Sequence, residues 1–348
     1  MRQITYKYFH YLINFFVYIK NIFSPKYFYL KKKIKKKSSI SEIDYDWKLV
    51  FKSFLNCRYD IKYFDNFISG LYDSKLESFN LKNVDGSKPV LICVIKNEVT
   101  KLEKLLYHYK SLGITNFVFI DNDSKDGTFE KLINEGCCVF EAKDSFNTAR
   151  KVGWINQVMQ RIGRNKWYLI IDSDEFLYTY KNVNIDSLTS LKSFRSYGAV
   201  MVDMYKANKS DNFNSFDNVF RSNYHRDFKA IYGGMRERVF NCTPLIKKHP
   251  LFLFSKNIVM INCHYLYPYS RNFKAPLQLV LLHYKDYNSD IEKIRKIVAD
   301  GSYANNSSEY KRYLQYFEQH EIIPSDEHTV TFSGQDQINE ILNKLHDK

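Results

Sequence analysis

An apolar run that ends in three acidic residues constrains this chain more than any other feature of its sequence. Residues 167–171 are aromatic or aliphatic and predict a buried strand, and Asp172, Asp174 and Glu175 follow at once. Carboxylates this close raise one another's pKa, so the cluster is costly unless a cation offsets the charge. Carboxylate oxygens are the ligands that Mg²⁺ and Mn²⁺ prefer. The sequence therefore predicts a divalent cation bound by Asp172 and Asp174.

The composition indicates a folded, basic protein. The chain has 348 residues, of which 45% are hydrophobic and 26% charged, as is usual for globular proteins. Its net charge of +14 predicts an anionic partner. Much of the excess lies in the first forty residues, which argues against a nucleic-acid groove spread over the fold. The six cysteines form no zinc-binding spacing, which favours a reducing, cytoplasmic compartment.

Strand and helix patterns alternate along the middle of the chain. Such alternation is typical of right-handed β-α-β units, so we predict an α/β fold with a mostly parallel central sheet flanked by helices. The predicted strands cover residues 90–95, 117–120, 138–140, 167–171 and 199–205, and the predicted helices cover 102–112, 129–133, 152–162, 291–298, 310–317 and 338–345.

Polar clusters follow three of these predicted strands. They are Lys96-Asn97-Glu98, Asp121-Asn122-Asp123 and Asp172-Ser173-Asp174. Each cluster alone could be ordinary turn chemistry, because Asp and Asn favour turns. Parallel strands, however, end at one edge of a sheet, where ligands of α/β proteins bind. We therefore expect the three clusters to converge on one site.

These clusters, in this order, resemble glycosyltransferase family 2. The resemblance continues through Asp126-Gly127-Thr128 and Glu175-Phe176, and then through residues 233–240 and 281–285, so that it covers roughly residues 89–290. It implies a GT-A fold, a domain that binds a nucleotide sugar, and a metal site at the second aspartate of an Asp-x-Asp motif. It also implies an acceptor that is a glycan or lipid-linked, as in cell-surface polysaccharide or lipopolysaccharide synthesis.

The resemblance also implies roles for individual residues. The donor would be a UDP- or GDP-type sugar, and Mn²⁺ or Mg²⁺ would bridge its diphosphate. Asp174 would ligate that cation, and Asp172 would approach the ribose or a metal-bound water. The remaining implied contacts are Asn97 and Glu98 at the base pocket and Asp121 or Asp123 at the base or ribose.

The second half of the chain offers further candidates. Arg236 and Arg238 alternate with other residues and, on a predicted strand, would point to one face and grip a diphosphate. Lys285 could contact a phosphate, whereas Lys247 and Lys248 are expected on the surface. His264 and His283 are alternatives for a third metal ligand. The candidates for the general base are the carboxylates of Asp203, Glu237 and Asp227, of which we favour Asp203.

The N-terminus combines an aromatic helix pattern at residues 8–23 with a lysine-rich run at residues 31–37. This composition favours a peripheral helix on the cytoplasmic face of the inner membrane. The alternative is a helix packed on the domain, followed by a solvated lysine linker. We divide the chain into this basic segment at 1–40, a lead-in at 41–87, the GT-A catalytic domain at 88–285 and a helical region at 286–348.

Two other function classes compete with a glycosyltransferase. A basic nucleic-acid-binding protein would need aromatic and basic side chains interleaved on one surface, whereas here carboxylates follow the strands. A nucleotidyltransferase on a related sheet would need a glycine-rich phosphate loop after the first strand, where this chain has Lys96-Asn97-Glu98.

Overall fold

A computed structural model describes most of the chain from residue 25 onward. The predicted helix at residues 8–23 and Asp227 lie outside the described residues. None of the described helices is long and apolar enough to cross a membrane. The described residues are 25–40, 43, 45–57, 61–207, 212–225, 228–285, 291–301 and 303–346.

A nine-stranded mixed sheet forms the centre of the described part of the chain, in the order β1-β4-β3-β2-β5-β11-β7-β14-β6. Strands β2, β3, β4, β5, β7 and β14 run in one direction, and β1, β6 and β11 run in the other. The strands are β1 (Glu77–Phe79), β2 (Val90–Ile95), β3 (Asn116–Asp121), β4 (Cys138–Glu141), β5 (Lys166–Asp172), β6 (Glu175–Thr179), β7 (Ser196–Asp203), β8 (Ser215–Asp217), β9 (Phe220–His225), β10 (Phe228–Gly233), β11 (Lys247–Phe254), β12 (Val259–Met260), β13 (Leu266–Tyr267), β14 (Leu277–His283) and β15 (Thr329–Thr331).

Helices cover both faces of this sheet. They are α1 (Pro25–Ile40), α2 (Trp47–Cys57), α3 (Ile61–Ile68), α4 (Leu102–Ser111), α5 (Thr128–Asn134), α6 (Thr148–Ile162), α7 (Ile185–Ser190), α8 (Met235–Phe240), α9 (Ser270–Phe273), α10 (Ile291–Asp300), α11 (Ala304–Phe317) and α12 (Gln335–His346), with a π-helical turn at Ser69–Asp73 and 3₁₀ turns at Leu81–Asn83 and Tyr180–Asn182. The predicted α/β fold with a mostly parallel central sheet flanked by helices is therefore confirmed.

The side chains of the buried strands alternate between the two faces of the sheet and so divide the core into two layers. Val90 and Ile92 pack on one face with α6 and the segment 30–84, whereas Leu91, Cys93 and Ile95 pack on the other face with α4 and α12. Successive side chains of a strand point to opposite faces, so a continuously apolar strand is buried on both sides. The segment that precedes the first central strand is thus part of the core.

Glycines allow the segment before the sheet to pack closely on α6. Gly70, in the π-helical turn, and Gly153, in α6, lie at the contact, where a Cβ added to Gly153 would be 2.4 Å from the carbonyl oxygen of Phe67. Trp154 donates a hydrogen bond to Ser74 Oγ at 2.9 Å across the same contact. The backbones can approach this closely only because neither glycine has a side chain.

The prediction of a strand around Arg236 and Arg238 is wrong. These residues form the short helix α8, which begins directly after Gly233 (φ +126°) and Gly234 (φ +76°). Two positive φ angles turn the chain sharply between β10 and α8, a conformation that glycine adopts without strain. On a helix, residues two positions apart point to different sides, so the two guanidinium groups do not share a face.

The close packing of α6 predicts the effect of one methyl group. We expect Gly153→Ala to lower the free energy of unfolding by about 1–3 kcal/mol, because the added Cβ meets rigid backbone. Urea unfolding followed by circular dichroism measures this change. Gly86→Ala is the control, since its Cβ would meet mainly the flexible ammonium end of Lys166. Equal stability of both variants would contradict the packing described here.

Candidate active site

Strand direction assembles one polar edge of the sheet. Val94 of β2 lies opposite Asp172 of β5, and Ile95 lies opposite Asp121 of β3, so these strands end level with one another. The predicted convergence of the three polar clusters is therefore confirmed. We call this edge the carboxyl rim; it comprises the ends of β2, β3, β5, β7 and β14 and the starts of β6 and β11.

The register of β7 and β14 adds two more side chains to the carboxyl rim. Asp203 ends β7 directly opposite His283, which ends β14, and His283 is in turn opposite Glu175 at the start of the antiparallel β6. The antiparallel β11 begins at the same edge and contributes Lys248. Residues separated by more than a hundred positions in the chain thus become neighbours.

Two lysines neutralise the first carboxylate of the Asp-x-Asp motif. Lys151 of α6 donates to one oxygen of Asp172, and the Nζ atom of Lys248 lies 3.4 Å from the other. Lys248 also donates to Glu175, which is only 1% exposed. Burial alone would raise the pKa of Asp172, but the charges of Lys151 and Lys248 hold it well below its usual range. Asp172 is therefore ionised and already paired.

The prediction that Lys247 and Lys248 lie on the surface is wrong. Both are buried, because β11 is inserted between β5 and β7 in the middle of the sheet. Lys248 can be buried there because the carboxylates of Asp172 and Glu175 accept hydrogen bonds from its ammonium group. The sequence shows two adjacent lysines before an apolar run, a pattern that resembles a solvated strand end.

The second aspartate of the motif contacts a histidine. Asp174 Oδ2 lies 3.4 Å from Nε2 of His283, and Nδ1 of His283 lies 2.7 Å from Asp203 Oδ1. Although burial would lower the pKa of His283, the charges and hydrogen bonds of Asp174 and Asp203 raise it to about 9. Burial would likewise raise the pKa of Asp174, but His283 lowers it to about 2. The imidazole is thus held between two carboxylates.

Asp203 connects this histidine to two helices. Arg236 Nε of α8 donates to Asp203 Oδ2 at 2.7 Å, and Nη1 of the same arginine donates to Glu309 of α11 at 2.9 Å. Burial would raise the pKa of Asp203, but Arg236 and His283 hold it far below its usual range. A buried carboxylate held between two cationic partners is a poor proton acceptor. This environment argues against the predicted general base and favours a role in orienting His283.

The loops after β2 and β3 hold each other in place. Lys125 donates its backbone N–H to Asn97 Oδ1 at 2.7 Å, and Asn97 donates its own to Ser124 Oγ at 2.9 Å. Asp121 is buried and accepts two hydrogen bonds from Ser124, within its own turn. Asp123 instead points outward and pairs with Lys125 at 2.6 Å. Of these acidic residues, only Asp123 is accessible for a ligand.

Glu98 joins these loops to the Asp-x-Asp motif. Its backbone N–H donates to Thr128 Oγ1 at 2.9 Å, and its carboxylate lies 3.5 Å from Ser173 Oγ and 2.7 Å from Lys101 Nζ. The first and third polar clusters are therefore in contact at the carboxyl rim.

Three of the predicted site residues make their contacts elsewhere. Arg238 bonds Asp217 at 2.6 Å, and Glu237 pairs with Arg221 at 2.6 Å at an exposed position. His264 Nδ1 lies 3.2 Å from the carbonyl oxygen of Lys247. Burial lowers the pKa of His264 to about 3, so this imidazole is neutral. Of the two histidines considered as ligands, only His283 contacts Asp174.

A wall of tyrosines borders the site on the side of α11. The Nζ atom of Lys285 lies 4.1 Å from the ring centroid of Tyr310 and 4.9 Å from that of Tyr313. Tyr303 stands 4.7 Å from Tyr310, between ring centroids. Burial lowers the pKa of Lys285. We call Tyr303, Tyr310 and Tyr313 the tyrosine wall.

Part of this arrangement suits a divalent cation. Among the residues described, no group of three His, Cys, Asp or Glu side chains is arranged as a complete ligand set. Asp174 and His283 nevertheless provide one oxygen and one nitrogen side by side. A cation bound at Asp174 would displace the Nε2 proton of His283, while Nδ1–H would continue to donate to Asp203, the usual arrangement of a metal-binding histidine. Mg²⁺-type ions commonly take one or two protein ligands and complete their shell with substrate phosphates and water.

A separate cavity of about 300 Å³ lies at the opposite edge of the sheet. It is lined by residues near the starts of β3 and β4, among them Phe117, Cys137 and Cys138, with Lys110 and Glu135. Ligands of open α/β sheets bind beyond the carboxyl ends of the strands, so this cavity is not the candidate site.

The ion pairs of Lys248 predict a large effect on stability. Lys248→Met would leave the buried Glu175 without this cation, and breaking a buried pair from one side costs about 3–5 kcal/mol. Adding Glu175→Gln to the same protein should restore part of this loss. The free energy of unfolding from urea denaturation measures both changes.

Lys125→Met is the matched control for that experiment. It removes an exposed pair with Asp123 and should leave the free energy of unfolding nearly unchanged. A loss as small as this in Lys248→Met, or no recovery in the double variant, would contradict the buried pairing.

Comparisons with known proteins leave the family of the chain open. No protein-family profile matches the sequence, and no curated protein matches it. Among solved structures, the chain is similar to the crystal structure of HddC from Yersinia pseudotuberculosis, with 10% identity over 74% of this chain and 99% of that one. The TM-score is 0.28, a likeness too weak to carry an argument about function.

Proposed function

We propose that this protein is a metal-dependent glycosyltransferase with a GT-A fold, which transfers a sugar from a nucleotide-sugar donor to a glycan or lipid-linked acceptor. The observation that carries the proposal is the contact of Asp174 with His283, oriented by Asp203, at the carboxyl rim. This contact lies beside the loops of Asn97, Glu98 and Asp123. The resemblance to glycosyltransferase family 2 implies that the nucleotide binds at these loops.

The chemical requirement of the reaction suits this arrangement. Negative charge develops on the diphosphate as the bond to the sugar breaks, and fixed positive charge stabilises it. Asp174 and His283 would hold a cation such as Mn²⁺ or Mg²⁺, which supplies Lewis-acid stabilisation of the phosphates when it is bound. Asp203 keeps the imidazole in place, and Arg236 keeps Asp203 in place. The Lys285 ammonium lies near Asp174 and adds a second fixed charge.

The tyrosine wall supports a sugar subsite next to this charge. The rings of Tyr303 and Tyr310 are half-buried, and the charges of Asp174 and Asp172 act on the Tyr310 hydroxyl. Flat aromatic faces with a polar edge suit ligands that have both an apolar face and hydroxyl groups, as sugars do. We assign Tyr303 and Tyr310 to the sugar or the acceptor side of the site, whereas Tyr313 is fully buried and packs against Tyr310.

Donor hydrolysis across a panel of nucleotide sugars tests the proposed function. We expect release of UDP or GDP from at least one donor in the presence of Mn²⁺, and a fall of roughly 100-fold or more in rate for Asp174→Asn. Asp186→Asn, which alters an exposed pair with Lys88, is the control and should retain full activity. Undiminished hydrolysis by Asp174→Asn would refute the assignment.

Metal binding can be tested without turnover. The melting temperature in the presence of UDP or GDP should rise further when Mn²⁺ is added, because ligands of the native state stabilise it. Asp203→Asn should weaken the apparent affinity for Mn²⁺ by about 10–100-fold, since residues that orient a metal-binding histidine act through it. An unchanged Mn²⁺ titration in Asp203→Asn would remove this role from Asp203.

A further inference from the structure

The helix α1 presents two chemically different faces. Leu30 and Ile34 are buried in the core together with the segment that precedes the sheet. Lys33 pairs with Asp65 at 2.7 Å and Lys37 pairs with Asp73 at 2.6 Å, next to this apolar contact. The apolar contact and the two ion pairs fix the rotation of the helix about its own axis.

The opposite face of α1 is basic and points to solvent. Lys31, Lys32, Lys35 and Lys36 are exposed there, and Phe28, one turn earlier, is 60% exposed. Residues three and four apart share a side of a helix, so these side chains form a continuous stripe. The helix contains no acidic residue. We call this stripe the lysine face.

We propose that the lysine face binds the surface of an anionic lipid bilayer. The described helix is too short in apolar length to span a membrane, but a cluster of lysines is attracted to the negative headgroups of anionic lipids. Exposed aromatic side chains beside such a cluster enter the interfacial region of a bilayer. Because α1 is docked on the domain by Leu30 and Ile34, the bilayer would be held against one defined side of the protein.

Charge complementarity favours a bilayer over a small anion. The four ammonium groups are spread along two turns of one helix, and the binding of a single phosphate would need them to converge with buried polar partners. A lipid surface offers many headgroups at once, which matches a long, exposed stripe. The proposal does not depend on the assignment of the carboxyl rim, and its test does not use enzymatic activity.

Vesicle sedimentation of the full-length protein tests the proposal. Vesicles of phosphatidylcholine with about 30% phosphatidylserine are compared with phosphatidylcholine alone, because anionic lipids give the cytoplasmic leaflet its negative surface potential. We expect binding to the anionic vesicles only, with a marked decrease at high salt. The variant K32E/K35E/K36E should lose on the order of a hundredfold in partition coefficient, since each lysine near the surface contributes roughly fivefold.

A variant with the same change in net charge is the control. K192E/K256E/K274E reverses three exposed lysines elsewhere and should retain most of the binding. Circular dichroism melting curves establish that both variants are folded. Equal binding by the two variants, equal binding to neutral vesicles, or a stronger α1-dependent preference for duplex DNA than for the anionic vesicles would each overturn the proposal.

Discussion

The carboxylate of Asp203 is the contact on which the candidate site depends. Its two oxygens bind His283 and Arg236, which come from a neighbouring strand and from the helix α8. Arg236 then binds Glu309, so α11 is attached to the same point. A buried charge is tolerated only when its partners are in place, which means that the ends of β7 and β14, α8 and α11 depend on one another. The parallel register of β7 and β14 makes this possible.

Because of the lysines of the carboxyl rim, a bound cation is not needed to neutralise Asp172 and Glu175. A cluster of carboxylates alone would need a metal for the fold itself, but Lys151 and Lys248 already balance Asp172 and Glu175. Asp174 instead pairs with His283, and this is the contact to which the proposed function assigns the cation. A cation there would be coupled to the binding of phosphates rather than to the stability of the sheet. The proposed division into a structural Asp172 and a ligand-binding Asp174 rests on their different partners, two lysines for Asp172 and a histidine for Asp174.

The sequence is sufficient to predict most of the strands and helices but only some of the contacts between them. The strands near 90–95 and 167–171 and the meeting of their polar ends were predictable, because apolar runs and parallel topology are sufficient for that inference. The sequence pattern predicts a strand at α8 because six residues are too few to distinguish a period of two from one of 3.6. Lys248 was missed because its burial depends on β11 entering the sheet between β5 and β7, a long-range pairing that no local pattern records. The same holds for Lys151, whose partner Asp172 lies on another element.

The basic residues that give the chain its net charge of +14 lie in two different environments. At the carboxyl rim, Lys151, Lys248 and Arg236 are each matched by a carboxylate, so the basic residues there add little net field. On α1 the lysines of the exposed face have no acidic neighbour within the helix, and their charges add along its length. Exposed positive charge at a surface attracts an extended anionic partner, whereas paired charge in the interior fixes geometry. The buried lysines therefore hold the rim together, whereas the exposed lysines of α1 are the ones available to the proposed bilayer contact.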